Sequence, residues 1–352
     1  MAYTTIDDGS EYFTTTLYTG NESTNAITNS ANAGDFQPDW VWLKSRNSAT
    51  HHRLYDSSRG ALKNLISSAT NAEATTANSL TSFDSNGFTL GSDDNSNQNT
   101  KTFVAWQWKA NGGTTSSFTE SGSNPGGNYQ ANTTAGFSIV TYTGTGSNGT
   151  VQHGLSSAPE LVIVKQRDDA AHDWQTGSDF LTSWAYRLKL NDDVSQASVA
   201  TSFNSTAPTS SVFTVGSNDD VNEDAHGYVG YCFHSVQGYS KIGSYTGNGN
   251  SNGPFVYTGF KPAWLMWKRT DSGTDWRMFD NKRDDDNVVK GRLFPNTSGS
   301  ENTSQDTLDF LSNGFKLRST NSGGNASGGT YIYMAFAEHP FVSSKGVPVT
   351  AR

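Results

Sequence analysis

The chain has 352 residues, a formal net charge of −9 and only 16% charged side chains, yet 12% of its residues are aromatic. Disorder is excluded, because disordered chains are poor in aromatics and rich in charge. So is a nucleic-acid partner, because the balance is acidic and no basic cluster exists to neutralise phosphates. With no run of about 18 apolar residues, no membrane insertion is expected. The segment 1–8 has neither the basic nor the apolar part of a secretory leader, so synthesis in a cytoplasm without export is expected. The single cysteine, Cys232, permits no internal disulfide and no cysteine-based zinc site.

Taken in chain order, four landmarks recur three times. Each series opens on a Tyr-Thr-Gly, at Tyr18, Tyr142 and Tyr245. A proline then leads an apolar run that ends in lysine: Trp40-Val41-Trp42-Leu43-Lys44, Leu161-Val162-Ile163-Val164-Lys165 and Trp264-Leu265-Met266-Trp267-Lys268. Shorter apolar pieces follow at Gly87–Leu90, Val212–Val215 and Gly314–Leu317. Each series closes on an aromatic strand-like run, Phe103–Trp108, Tyr228–Phe233 and Tyr331–Phe336. Both faces of the proline-led runs are apolar, which predicts strands covered on both sides. The polar Ser, Thr, Asn and Gly between the runs predict turns. Helix is predicted only at 61–67, where Leu62, Leu65 and Ile66 fit two turns.

The first two series are offset by 124 residues and the last two by 103. The surplus lies in 111–135, rich in Gly, Ser and Thr, which predicts a linker lying against protein. The expected organisation is all-β: three tandem β-sandwich, jelly-roll-like repeats of about 100 residues, each large enough to bury a core. Their bounds are 1–110 with an N-terminal docking segment, linker 111–135, 136–238, 239–340 and a C-terminal tail 341–352. The two end segments are expected to dock on neighbouring subunits.

The stretch His52-Arg53-Leu54-Tyr55-Asp56-Ser57-Ser58-Arg59-Gly60, with Asn86–Gly91 and Phe103–Lys109, resembles a repeat of virion structural proteins of tailed phages from marine bacteria and cyanobacteria. The end of the chain, Ala335–Val342 through Gly346–Ala351, is similar to the C-terminus of the same group. The resemblance implies a tail-fibre-like or capsid-surface protein located in the virion. It also implies other virion proteins as partners, a homo-oligomer, and no catalytic residues. The second repeat departs from the pattern, with Trp174-Gln175-Thr176-Gly177 where the others have Tyr55-Asp56 and Phe279-Asp280.

The residues themselves offer little chemistry. Asp56 with Arg59, and Asp280 with Arg283, fit Asp-initiated turns with local ion pairs. The run Asp219–Asp224 has alternating oxygen donors but lacks the glycine and the terminal glutamate of a calcium loop. Asp284-Asp285-Asp286 reads as a surface charge run. The seven histidines have no metal-ligand spacing, so neither metal nor cofactor is expected. No paired glutamates, nucleophile elbow or phosphate loop appears, so the chain is not expected to be an enzyme. Cys232 sits in an apolar strand and is expected to be buried and inert. If host surface glycans are bound, as a host-adsorption protein would require, Trp174, Trp184 and Trp276 lie nearest loops and are the candidates. A glycan depolymerase would need a carboxylate pair assembled from distant strands.

Overall fold

The recurring landmarks lie side by side in antiparallel sheets. A computed structural model describes residues 3–29 and 35–349, and strands occupy 41% of it against 6% helix, so the chain is all-β. In the first unit the opening strand Phe13–Thr19 pairs with the closing strand Thr102–Trp108. The closing strand pairs with the proline-led strand Trp40–Ser45, which pairs with the short strand Arg53–Asp56. The same order recurs in Phe137–Thr143, Gly227–Phe233, Leu161–Gln166 and Gln175–Ser178, and in Ser240–Thr246, Thr330–Pro340, Phe260–Arg269 and Arg277–Asp280.

Each proline-led strand is apolar on both faces because it has two cores to fill. Val41 and Leu43 face a small outer sheet, as do Val162 and Val164, and Leu265 and Trp267. The opposite faces, with Trp40, Trp42, Leu161, Ile163, Trp264 and Met266, join one central core drawn from all three units. Aromatic contacts bridge it: Trp40 stacks on Tyr231 at 4.5 Å, Phe13 on Phe336 at 5.3 Å, and Phe233 meets Phe336 edge-on at 6.1 Å. The expectation that each unit buries its own core therefore holds for the outer core alone. The inner sheet faces are covered in large part by the other two units.

The Tyr-Thr-Gly landmark follows from one local device. A four-residue helical turn precedes each closing strand, at Asp94–Asn97, Asp219–Asn222 and Ser322–Asn325. The tyrosine hydroxyl donates to a carbonyl of that turn: Tyr18 to Ser96, Tyr142 to Val221 and Tyr245 to Gly324, at 2.6–2.9 Å. The turn's last residue is a buried asparagine (Asn97, Asn222 or Asn325) whose amide bonds the loop after the glycine. The glycine is required because a Cβ at Gly20 or Gly144 would lie 2.1 Å from the backbone oxygen of the residue that follows the turn, Gln98 or Glu223.

Two expectations are corrected. The 111–135 segment carries strands Ser116–Phe118 and Gly127–Asn132, which extend the second unit's sheet at its opening edge. Buried Phe118 and Gln130 anchor it; Gln130 donates to Ser57 and Ser58 of the first unit at 2.8 and 2.7 Å. Residues 61–67 form a turn and a short strand rather than a helix: Leu62 takes a left-handed φ of 68°, Lys63–Asn64 is extended and Leu65 bridges Leu54. Both end segments also make contacts within the chain. Ile6 enters the central core, Asp7 accepts from Ser344, and the Tyr3 hydroxyl donates to the Gly259 carbonyl at 2.6 Å. Residues 1–2 and 350–352 of those end segments lie outside the described residues.

Candidate functional site

The tryptophans expected at exposed loops are buried. Trp174, Trp184 and Trp276 are 0%, 6% and 1% exposed. Each precedes or follows a short strand that turns it inward, and each indole N–H finds a partner. Trp184 donates to Asp179 at 2.7 Å within its own unit. The other two cross between units: Trp174 donates to the Ile66 carbonyl and Trp276 to the Lys189 carbonyl, both at 2.8 Å. His52 holds the corresponding place in the first unit. Its Nδ1 accepts from Trp42 at 2.8 Å and its ring turns toward the Phe294 backbone. Burial holds that imidazole well below its usual range. Ile66, Lys189 and Phe294 each follow a leucine that pairs with the short strand (Leu65, Leu188 and Leu293). The contacts thus run second unit to first, third to second and first to third, and close a ring.

The Asp–Arg pairs belong to the same boundaries. Asp56 accepts from the Arg59 amide at 2.8 Å and from its guanidinium, with both side chains fully buried. Asp280 and Arg283 repeat this, with a 2.6 Å ion pair. Burial alone would lower the Arg59 pKa, but Asp56 beside it raises it overall. Each aspartate also accepts from a closing strand of another unit: the Tyr231 hydroxyl donates to Asp56 at 2.7 Å, and the Trp106 indole to Asp280 at 3.0 Å. Glutamates extend both pairs outward. Glu73 bridges Arg59 and Arg167, and Glu301 bridges Arg283 and Arg46.

Strand register places Ser178, not Gly177, opposite Leu161 as Asp56 is opposite Trp40 and Asp280 opposite Trp264. The second unit therefore has Ser178 and Leu181 where the others have Asp and Arg, and the matching closing-strand residue of the third unit is Met334. The acidic run at Asp219–Asp224 is the helical turn described above, with Asn218 capping it through Asp220 N. Cys232 is buried, and burial pushes its thiol up to about 12.

Exposed aromatic surface lies elsewhere. Phe255 and Tyr257 are 45% and 56% exposed on the edge strand Phe255–Tyr257, while Val256 between them points inward. Gly314 on the adjacent strand lies beneath the Phe255 ring, where a Cβ would come within 3.0 Å of it. Tyr3 lies beside Tyr257, with hydroxyls 3.5 Å apart, and burial together with that neighbour pushes the Tyr3 phenol up to about 12. The same sheet ends in Phe310-Leu311-Ser312, one wall of a polar cleft whose other residues include Lys261, Asn281 and Asp285. Sequence reading missed this patch because it weighed tryptophans by nearness to loops. The signal available was the alternation Phe-Val-Tyr after a proline. A mixed donor set, Asp169, His172 and Glu223, also gathers on the second unit. Its members are 51 or more residues apart across one gap, so no spacing motif announced them.

A family model described as a domain of unknown function, DUF7483, matches residues 8–340. The chain belongs to this family. The DUF7483 match runs as one span through all three units and their shared core. No curated protein matches the sequence.

Proposed function

We propose that this chain is a structural protein on the surface of a tailed-phage particle, a tail fibre or a capsid fibre or decoration, acting through contacts with neighbouring virion proteins. The resemblance of its first and third units and of its C-terminal residues to such proteins motivates the reading. The observation that carries it is the closed ring of buried contacts between the units. The strongest polar features shared between units, the Asp–Arg pairs and the tyrosine–turn bonds, serve internal construction. Such a chain presents a rigid polar exterior to its surroundings, as a repeated surface subunit must. Gold-labelled antibody against the purified chain should decorate tails or capsids in electron micrographs of particles. Particles that carry none of the chain would overturn the reading.

Carbohydrate recognition during host adsorption is a second reading, favoured by one observation. Phe255 and Tyr257 offer exposed rings on one edge of a sheet whose other edge strand walls a polar cleft, the amphipathic combination that suits the apolar faces and hydroxyls of a sugar. Phe255→Ala/Tyr257→Ala should abolish binding on an array of host-envelope glycans and leave the melting temperature unchanged. An array silent to the unaltered chain would remove this reading.

A further inference from the structure

We propose that Asp169, His172 and Glu223 bind one zinc-class divalent cation on the second unit. Asp169 and His172 lie on the turn between Leu161–Gln166 and Gln175–Ser178, and Glu223 directly follows the helical turn Asp219–Asn222. One donor atom from each lies within 4.8 Å of the others.

The decisive detail is the imidazole's orientation. His172 Nδ1 is 3.3 Å from Asp220 Oδ1, and Nε2 is 3.6 Å from Glu223 Oε2. Asp220 is fixed as an acceptor, because it already takes bonds from Asp173 N at 3.0 Å and Gln175 Nε2 at 2.6 Å. That partner selects the Nδ1–H tautomer and leaves the Nε2 lone pair facing Glu223. Glu223 Oε2 is held in turn by Gln166 Nε2 at 2.7 Å, from a fully buried side chain. A lone pair and a carboxylate oxygen at this separation repel unless a positive centre lies between them. Zinc–ligand bonds of about 2.0–2.2 Å place tetrahedral neighbours roughly 3.3–3.6 Å apart, so the His172–Glu223 gap fits a shared ion as it stands, and Asp169, within 4.8 Å of both, closes in by turning its side chain. A bridging proton would also relieve the repulsion; the exposed carboxylate of Asp169, gathered within 4.8 Å of the other two donors, is the further ligand that a metal ion would take.

The fold does not require these donors. Where the second unit has His172 and Glu223, the first has Thr50 and Gln98 and the third Thr274 and Ala326. The second unit's turn is also one residue longer, with nine steps from Lys165 to Trp174 against eight from Lys44 to His52. An imidazole donor selects borderline metals over calcium or magnesium, which prefer all-oxygen sites. A bound ion would pin the 167–173 turn to the helical turn, next to the Arg167–Glu73 bridge between units.

The test uses the full chain stripped by chelator, titrated with zinc chloride in a calorimeter and with cobalt chloride by visible absorption. One equivalent should bind, with a cobalt ligand-field band. His172→Ala and Glu223→Gln should each weaken binding by about ten-fold or more and lose the band, while His51→Ala binds as the unaltered chain does. Matching melting temperatures in chelator would show that the variants fold. Absence of stoichiometric binding, binding indifferent to both substitutions, or equal saturation by calcium would overturn the proposal.

Discussion

Asp56, Arg59 and Tyr231 show how one boundary position is solved in two chemistries. Between the first and second units, and between the third and first, a buried ion pair accepts a further donor from the neighbouring closing strand. Between the second and third, Ser178, Leu181 and Met334 occupy the same places, and Leu181 and Met334 join the central core. A buried pair is held by its partners, so removing one member leaves an uncompensated charge, whereas exchanging the whole set for apolar residues is often neutral. Arg59→Leu alone should therefore cost about 3–5 kcal/mol. Adding Asp56→Ser and Tyr231→Met, the second boundary's own residues, should restore most of it. Denaturant unfolding of the single and triple variants checks this; a triple variant no more stable than R59L would refute the exchange. The local half of this arrangement was legible in the sequence, since Asp and Arg three residues apart fit a turn. The partner lies 175 residues away on an apolar strand, and no local pattern encodes that contact.

The proline-led strand is the element most fully written in the sequence. Its apolar run, unalternating over the four residues before the lysine, predicts cover on both faces; the nature of the second cover is invisible, because one strand's pattern cannot say whether a loop or another unit lies above it. The strands of segment 111–135 leave no pattern in the sequence for a related reason. They are polar and glycine-rich, and they are ordered by pairing with an existing edge and by buried Phe118 and Gln130 rather than by propensity. The terminal lysines explain the motif's last letter: Lys44, Lys165 and Lys268 are buried, and each amine donates to the carbonyl of the next residue at 2.6–3.1 Å. Burial lowers all three to about 8. The unfolded chain, with lysines near their ordinary value of about 10.4, then binds more protons than the folded one between about pH 8 and 10. Stability should rise with pH across that window, by an amount on the order of a few kcal/mol. Above about pH 10 the trend should reverse, because tyrosines such as Tyr55, held up to about 12 by burial, ionise first in the unfolded chain. Unfolding free energies measured across this range in the Lys44→Met/Lys165→Met/Lys268→Met variant should lack the rise; an unchanged profile would assign it to other groups.

At the scale of the whole molecule, the central core decides how the three units behave together. Trp40 contacts Tyr231, Phe13 contacts Phe336 and Phe233 contacts Phe336, so every pair of units shares fully buried aromatic surface. The ring of indole and imidazole contacts, and the backbone bonds Glu73 N to Arg167 O, Gln196 N to Thr270 O and Glu301 N to Arg46 O, close the same circuit outside that core. Independent sandwiches joined by a linker would unfold in separate steps. Here, loss of any one unit would expose the inner faces of the other two, a contiguous apolar surface of the kind soluble monomers do not leave open. Calorimetry of the full chain should therefore give a single transition whose calorimetric and van't Hoff enthalpies agree. A chain ending at residue 238 should be insoluble or lack a cooperative transition, because Phe13, Trp108 and Phe233 would lose Trp264 and Phe336. A truncated chain that melts cooperatively at the full chain's temperature would mean that the outer cores, not the central one, hold each unit together.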